Sequence, residues 1–360
     1  MSSNRGACCG TSRVQALNTP KNEVRLLTVG PEDDGRRLDN YLGTVLGRVP
    51  KSLVYRIIRR GEVRVNGGRA KPDQRLAAGE VVRVPPVATP EQVAPRLAAG
   101  LSDAIAEAIL YEDERLIIVD KPPGLAVHAG SGLAFGLIDV LRKLRPATPR
   151  LDLAHRLDRE TSGAIIAAKD PATLRRLNAM LADGDVEKEY LALLAGRLPG
   201  KAPLEVTSAV AEGRDRRGEK HMVAGEHGRE ARTVFRTVQA LPGATLAAVT
   251  LDTGRTHQIR VHAQDIGHPL GGDSKYGEDE FNAKLHAAGL RRQFLHAHRL
   301  RFRLDKPISV VAPLPADLRT VLAALGARAL ADELGAHAAR RGRNGRARAP
   351  LKGQNDRGES

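Results

Sequence analysis

Asp158 stands between Arg156 and Arg159 in the run His155-Arg156-Leu157-Asp158-Arg159-Glu160-Thr161-Ser162-Gly163, which leads directly into the apolar segment Ala164-Ile165-Ile166-Ala167-Ala168. A carboxylate flanked by two guanidinium groups has its negative charge favoured from both sides. On a loop just before a buried strand it is a candidate nucleophile. Taken alone, the same run also reads as a surface Arg-Asp-Arg patch of little energetic weight. Two more stretches carry groups fit for chemistry: Glu187-Lys188-Glu189-Tyr190-Leu191-Ala192-Leu193 and Gly254-Arg255-Thr256-His257-Gln258-Ile259-Arg260-Val261-His262. Alternation puts Lys188, Tyr190, Ala192 and Leu194 on one face of a strand. A ring there can stack on a planar ligand and its hydroxyl can exchange a proton, although a lone tyrosine on a strand reads equally well as core. The eleven histidines include His257 and His262, five apart, and His296 and His298, two apart; Glu and Cys ligands at useful spacing are missing, so no metal is expected.

Together these three stretches, in this order and spacing, resemble the pseudouridine synthases that modify ribosomal and transfer RNA. The resemblance runs from about Arg36 to about Leu325, with no departure in HRLDRETSG or GRTHQIRVH. It implies that Asp158 is the catalytic aspartate and Tyr190 the family tyrosine, stacking on uracil and taking part in removing the C5 proton. It implies that Arg260 pairs with the aspartate and that Arg156 enters the RNA helix as the uridine is flipped out. Thr256 is expected to cap the helix carrying Arg260. Arg255 and His257 are assigned to RNA, Arg255 as a phosphate ligand. Leu270-Gly271-Gly272-Asp273-Ser274-Lys275-Tyr276-Gly277 resembles another family segment near the cleft, with a structural role expected. The reaction needs no redox change, metal or energy source, so no cofactor is expected.

The elements that position these groups follow from pattern. Helical spacing of Leu38, Tyr41, Leu42, Val45 and Leu46 is followed by a second helix from Ser52 through Ile58 and two short strands, Glu62 to Gly68 and Glu80 to Pro85. That stretch resembles the S4 RNA-binding module. Lys51, Arg56, Arg59 and Arg60 lie on or beside its second helix, and such planar forks grip phosphate oxygens without reading sequence. The expected organisation is a disordered terminus over 1–22, the S4-like module over 34–86, a Pro/Ala linker over 87–107, a catalytic domain over 108–325 and a disordered basic tail over 326–360. The catalytic domain is expected to be α+β, on a mixed, mainly antiparallel sheet. Strands are expected at Leu116–Asp120, Tyr190–Leu194, Val206–Val210, Thr233–Val238, Thr245–Leu251 and Phe294–Arg303, with a helix capped by Asp170 and ended near Gly184. Gly130, Gly132 and Gly136 read as a flexible loop, without the Lys-Ser/Thr ending of a P-loop.

A net charge of +15 over 360 residues favours a polyanionic partner. With no Trp, five Tyr and five Phe, the chain has no broad platform for stacking single strands, which argues against a general single-strand binder. Only Cys8 and Cys9 occur, so a disulfide framework is excluded and a reducing compartment fits. No apolar run spans a bilayer and no signal peptide is evident, so a cytoplasmic monomer is expected. The S4 order and the segments Gly130–Gly136 and Leu144–Pro146 point to 23S ribosomal RNA, as an assembly intermediate, rather than transfer RNA. Two rivals remain at this level: an RNA-binding scaffold without activity, and a glycosidase that releases uracil. The second would want another positioned carboxylate to handle water.

Overall fold

The computed structural model describes residues 24–46, 49, 51–87, 100–129, 135–200, 202–214, 220–225 and 228–336. The expected disordered terminus over 1–22, most of the linker, the glycine loop over 130–134 and the tail beyond 336 lie outside these residues. The chain divides into two units, Met1–Pro95 and Arg96–Ser360.

The first unit contains β1 (Arg25–Thr28), α1 (Leu38–Val45), α2 (Lys51–Arg59), β2 (Arg64–Val65), β3 (Gly68–Arg69) and β4 (Val81–Val84). Its sheet runs β1-β4-β2-β3. Leu38, Tyr41 and Leu42 of α1 and Val54, Ile57 and Ile58 of α2 recur at helical spacing and bury one face of each helix on this sheet. The strand expected from Glu62, running into a glycine turn by Gly68, is β2, and Asn66 and Gly67, both at positive φ, turn the chain back into β3 in two residues. The module also starts earlier than residue 34: β1 pairs with β4 from Arg25↔Val84 to Thr28↔Val81, a four-residue strand too short to announce itself by pattern. α2 begins at Lys51, one residue before the expected cap at Ser52.

The second unit opens with α3 (Leu101–Glu107), β5 (Ile109–Glu112), β6 (Leu116–Lys121), α4 (Leu137–Leu144), β7 (Asp152–Leu153), β8 (Ser162–Ala168), α5 (Pro171–Asp183) and β9 (Glu187–Ala195). It continues with β10 (Leu204–Thr207), β11 (Ala209–Arg214), β12 (Lys220–Gly225), β13 (Arg232–Leu241), β14 (Ala244–Leu251), α6 (Gln258–Asp265) and α7 (Asp279–Ala287). β15 (Leu295–Arg303), β16 (Pro307–Val311), α8 (Ala316–Ala324) and α9 (Arg328–Ala336) complete it. The main sheet follows the order β10-β13-β14-β9-β15-β8-β6-β5, with β16 beside β15 and β7 beside β8. Among the described residues all its pairings are antiparallel except β8 with β15. The fold is α+β, as expected.

Alternation along the central strands feeds cores on both faces of the sheet. Tyr190, Ala192 and Leu194 pack with Ile105 of α3, Leu141 of α4 and Ile259 of α6. Leu191, Leu193 and Ala195 turn the other way, onto α7, α8 and α9. Asp170 caps α5 through Thr173 N–H, and Gly184 ends it at φ +84°. Three boundaries differ from expectation. Residues 101–107, assigned to the linker, form α3 because Ile105 is fully buried in the core. Residues 328–336, assigned to the tail, form α9, held by Ala331 and Leu334. The strand expected over Val206–Val210 breaks at Ser208, β10 staying in the main sheet and β11 leaving it to pair with β12.

Candidate active site

The loop bearing Asp158 is held from several directions before it reaches β8. His155 Nε2 accepts the Ile166 N–H at 3.1 Å, so the ring fastens the loop to the strand it precedes. Burial and the charge of Lys188 push that imidazole down to about 4, which keeps the nitrogen an acceptor at neutral pH. Lys121, fully buried at the end of β6, donates to the carbonyls of Pro122, Leu125 and Arg159 at 2.9, 3.0 and 3.1 Å. On the other side Arg292 donates to the Glu160 carbonyl at 3.1 Å and to Ser162 Oγ at 3.2 Å, while pairing with Asp317 of α8. Gln293 Nε2 reaches Thr161 Oγ1 at 2.7 Å.

Asp158 is not sandwiched by its chain neighbours. Arg156 is exposed, and Arg159 turns away to the Gly124 carbonyl at 3.0 Å. The charge beside Asp158 comes from Arg260, whose Nη1 lies 3.0 Å from Oδ2. The guanidinium within hydrogen-bond reach of Asp158 is thus carried by the buried helix α6, while Arg159, expected to flank the carboxylate, is drawn to Gly124. Arg260 is itself clamped. Its Nε and Nη2 grip Asp273 at 2.6 and 2.9 Å, and its guanidinium lies over the Tyr276 ring at 4.8 Å. Asp273 is buried and also accepts the backbone N–H groups of Lys275 and Tyr276, so its carboxyl is held below the usual carboxylate range against the opposing cost of burial. The segment Leu270–Gly277, expected to be merely structural, therefore supplies the residue that aims Arg260. A Gly-Gly-Asp turn was visible in sequence; its distant partner was not.

The turn ahead of α6 is organised by Gln258. Its Oε1 accepts from Thr253 Oγ1 and Arg255 N–H, and its Nε2 donates to the Arg232 carbonyl and Thr233 Oγ1. The helix starts at Gln258 after His257 at φ +57°, so Thr256 does not cap it as expected. His257 comes within 3.8 Å of Asp158 Oδ2 through Nε2, and Tyr276 Oη touches its Nδ1 at 2.8 Å.

A cleft of about 740 Å3 opens over Asp158, edged by His128, Arg156, Arg159, Arg291 and Arg292. A smaller recess of about 60 Å3 adjoins it at Asp158, lined by Asp158, Tyr190, His257 and Arg260 with Leu251 and Leu295. Tyr190 is 7 % exposed, and burial together with the nearby Asp158 charge raises its pKa, so it rests as a neutral phenol. Of the residues expected at the site, Asp158, Tyr190, Arg260, Arg156, Arg255 and His257 all line this recess. Arg56, Arg59 and Arg60 belong to the first unit, exposed on and just after α2; Lys51 begins that helix, its side chain lying outside the described residues. His296 and His298 are buried and both donate to the Ala312 carbonyl, at 3.1 and 2.9 Å, which accounts for them without a metal.

The chain resembles known proteins over most of its length. The sequence profile of the RNA pseudouridylate synthase family matches residues 115–265, and that of the S4 domain matches 36–82. The chain is 44 % identical over 311 residues to the ribosomal large subunit pseudouridine synthase C of Haemophilus ducreyi, spanning 84 % of this chain and 96 % of the relative. Against the Escherichia coli (strain K12) protein of the same name the identity is 40 % over 313 residues, covering 85 % and 98 %. Among solved structures, Human RNA Pseudouridylate Synthase Domain Containing 4 superposes with a TM-score of 0.53 at 25 % identity, over 63 % of this chain and 95 % of that one. The chain belongs to the RNA pseudouridylate synthase family, isomerases acting on uridine in RNA, and carries an S4 domain ahead of its catalytic domain.

Proposed function

We propose that this enzyme converts defined uridines of 23S ribosomal RNA to pseudouridine, using Asp158 as the nucleophile or charge stabiliser beside the glycosidic carbon. The observation that carries this reading is the 3.0 Å contact between Arg260 and Asp158 at the mouth of a recess that also holds Tyr190. The C1'–N1 bond breaks, the base turns, C5 bonds to C1', and the proton lost from C5 is balanced by the one gained at N1. Apolar walls at Leu251 and Leu295 keep water from the loosened base. Tyr190 stacks on uracil and acts in removal of the C5 proton, directly or through water. Because burial and the Asp158 charge keep its phenol neutral at rest, the hydroxyl acts as a relay, its oxygen accepting the C5 proton as its own proton passes to water.

Arg156, exposed at the cleft edge, aids extrusion of the uridine, a step costing a few kcal/mol of stacking. Arg255 is exposed beside the recess and suits a phosphate. Lys51, Arg56, Arg59 and Arg60 hold the RNA backbone through the S4 domain. The substrate is ribosomal RNA during assembly, met in the cytoplasm by a monomer. Hydrolytic excision would want a second carboxylate to activate water: Asp273 is engaged by Arg260 and by backbone N–H groups, and Glu160, at the cleft, pairs with Arg159 at 3.5 Å.

The test is a pseudouridine map of ribosomal RNA from cells lacking this protein, repeated after restoring the intact chain or Asp158→Asn. Defined 23S positions should lose the modification, and only the intact chain should restore it. An unchanged map, or rescue by the amide, would overturn the assignment.

A further inference from the structure

His257 is held in a backbone conformation that side chains other than glycine rarely adopt, at φ +57°. Its ring is held by Tyr276, in an edge contact with centroids 5.5 Å apart, and Tyr276 itself meets His221 at a tilt with centroids 4.4 Å apart and carries the Arg260 guanidinium over its ring at 4.8 Å. The Tyr276 hydroxyl bridges the backbone and this ring. A backbone N–H can only donate, and Met222 N–H lies 3.1 Å from Tyr276 Oη. With that bond accepted, the hydroxyl hydrogen can point at His257 Nδ1, 2.8 Å away, and the tautomer that matches this arrangement carries its ring proton on Nε2. Nε2 faces Asp158 Oδ2 at 3.8 Å, the same oxygen that receives Arg260.

We propose that His257 is a positioning residue for the isomerisation: Tyr276 fixes its proton on Nε2, from which it donates to Asp158 Oδ2 when a nucleotide fills the recess and leaves Oδ1 as the oxygen that attacks. The inference rests on the role assigned to Asp158 above. The present separation is about 1 Å longer than an N–H···O bond, as is common before substrate closes a site. Burial holds the ring below the usual histidine range, so the neutral form is the working one. The charges facing it are Asp158 and Asp273 on one side of the balance and Arg260 and Lys275 on the other, with His221 beyond Tyr276. The arrangement also links the site to β12, since Met222 and His221 both belong to that strand.

The test uses the full-length enzyme with His257→Asn, His257→Gln and Tyr276→Phe, single-turnover rates on a ribosomal RNA fragment, and nitrogen NMR of labelled histidine. Asparagine tolerates positive φ, so His257→Asn removes the distant donor without a backbone penalty. It should slow the rate from the RNA-bound state about 10- to 100-fold, the scale of a misplaced reacting group, a readout separate from any part His257 plays in holding RNA. His257→Gln, whose amide reaches the Nε2 position, should recover most of that loss. Tyr276→Phe should let the resonance assigned to His257 shift from the Nε2-protonated tautomer towards a mixture. A wild-type ring protonated on Nδ1, or a His257→Asn enzyme as fast as wild type, would overturn the proposal. If Asp158→Asn is itself fully active, the functional reading fails instead; if Asp158→Asn is inactive while His257→Asn is unaffected, only this inference falls.

Discussion

At the scale of single residues, the site is a problem of holding buried charge. Arg260 sits between Asp158 and Asp273, and Asp273 takes the bidentate share, so the contact to Asp158 is made by one nitrogen of an already rigid fork. Lys121 poses the opposite problem: an ammonium far from water whose three N–H donors go to three carbonyls, one of them Arg159 next to the proposed nucleophile. Burial and the charge of Arg292 push it down to about 7. An unfolded lysine holds its proton up to about 10.4, so between these values the unfolded chain binds more protons and stability rises with pH. Lys121→Met should remove that contribution, which at its steepest is about 1.4 kcal/mol per pH unit. Urea unfolding of both proteins at pH 7 and pH 9.5 reads it, and parallel pH dependence in the two would refute it. Asp158 and Arg260 were legible in sequence because each sits inside a motif. The roles of Lys121, Asp273 and Tyr276 were not, because their meaning lies in partners brought by other strands and loops.

At the scale of elements, the proposed nucleophile is placed by the single parallel pairing in the sheet. β15 passes between β8 and β9, with His296 opposite Ser162 and Ala297 opposite both Gly163 and Tyr190, so one strand sets the spacing between the Asp158 loop and the tyrosine. The glycine at 163 makes this possible: its φ is +114°, and a Cβ there would lie 2.3 Å from the Ala297 carbonyl oxygen. Gly163→Ala combines a disfavoured backbone with overpacking against another main chain, and should cost about 3 kcal/mol or more. Denaturant unfolding checks this, and a midpoint equal to that of the wild type would contradict it. The strand pattern around Ala164–Ala168 was readable because it is apolar without interruption, and α5 because Asp170 and Gly184 punctuate it. α3 and α9 were misread because alanine-rich sequence beside a proline-rich or arginine-rich stretch carries little periodic contrast; burial of Ile105, Ala331 and Leu334 decides them instead. Nothing local in the Ala209–Gly225 hairpin shows that its second strand meets Tyr276.

At the scale of the whole molecule, the net charge of +15 has to be divided between residues that act in the cleft and residues that only hold RNA. Many arginines are spoken for internally: Arg145 with Glu112, Arg176 with Asp305, Arg232 with Glu205 and Asp252, Arg292 with Asp317. Arg56, Arg59 and Arg60 of the S4 domain are exposed instead, with Arg60 reaching Glu62 only at 3.8 Å. If these three neutralise phosphates, each releases condensed counterions on binding, and the logarithm of affinity falls with the logarithm of salt by about 0.7 to 0.9 per contact. The triple variant Arg56→Gln, Arg59→Gln, Arg60→Gln in the full-length enzyme should therefore flatten the salt dependence of ribosomal RNA binding by about 2 to 3 in slope. Its rate from the bound state at low salt should stay that of the wild type, because none of the three lines the recess around Asp158. Filter binding from low to moderate salt, beside single-turnover kinetics at saturating enzyme, separates the two effects. An unchanged slope would remove these arginines from the RNA interface, and a slowed chemical step with intact affinity would mean that the S4 domain acts on the catalytic centre rather than on the RNA backbone.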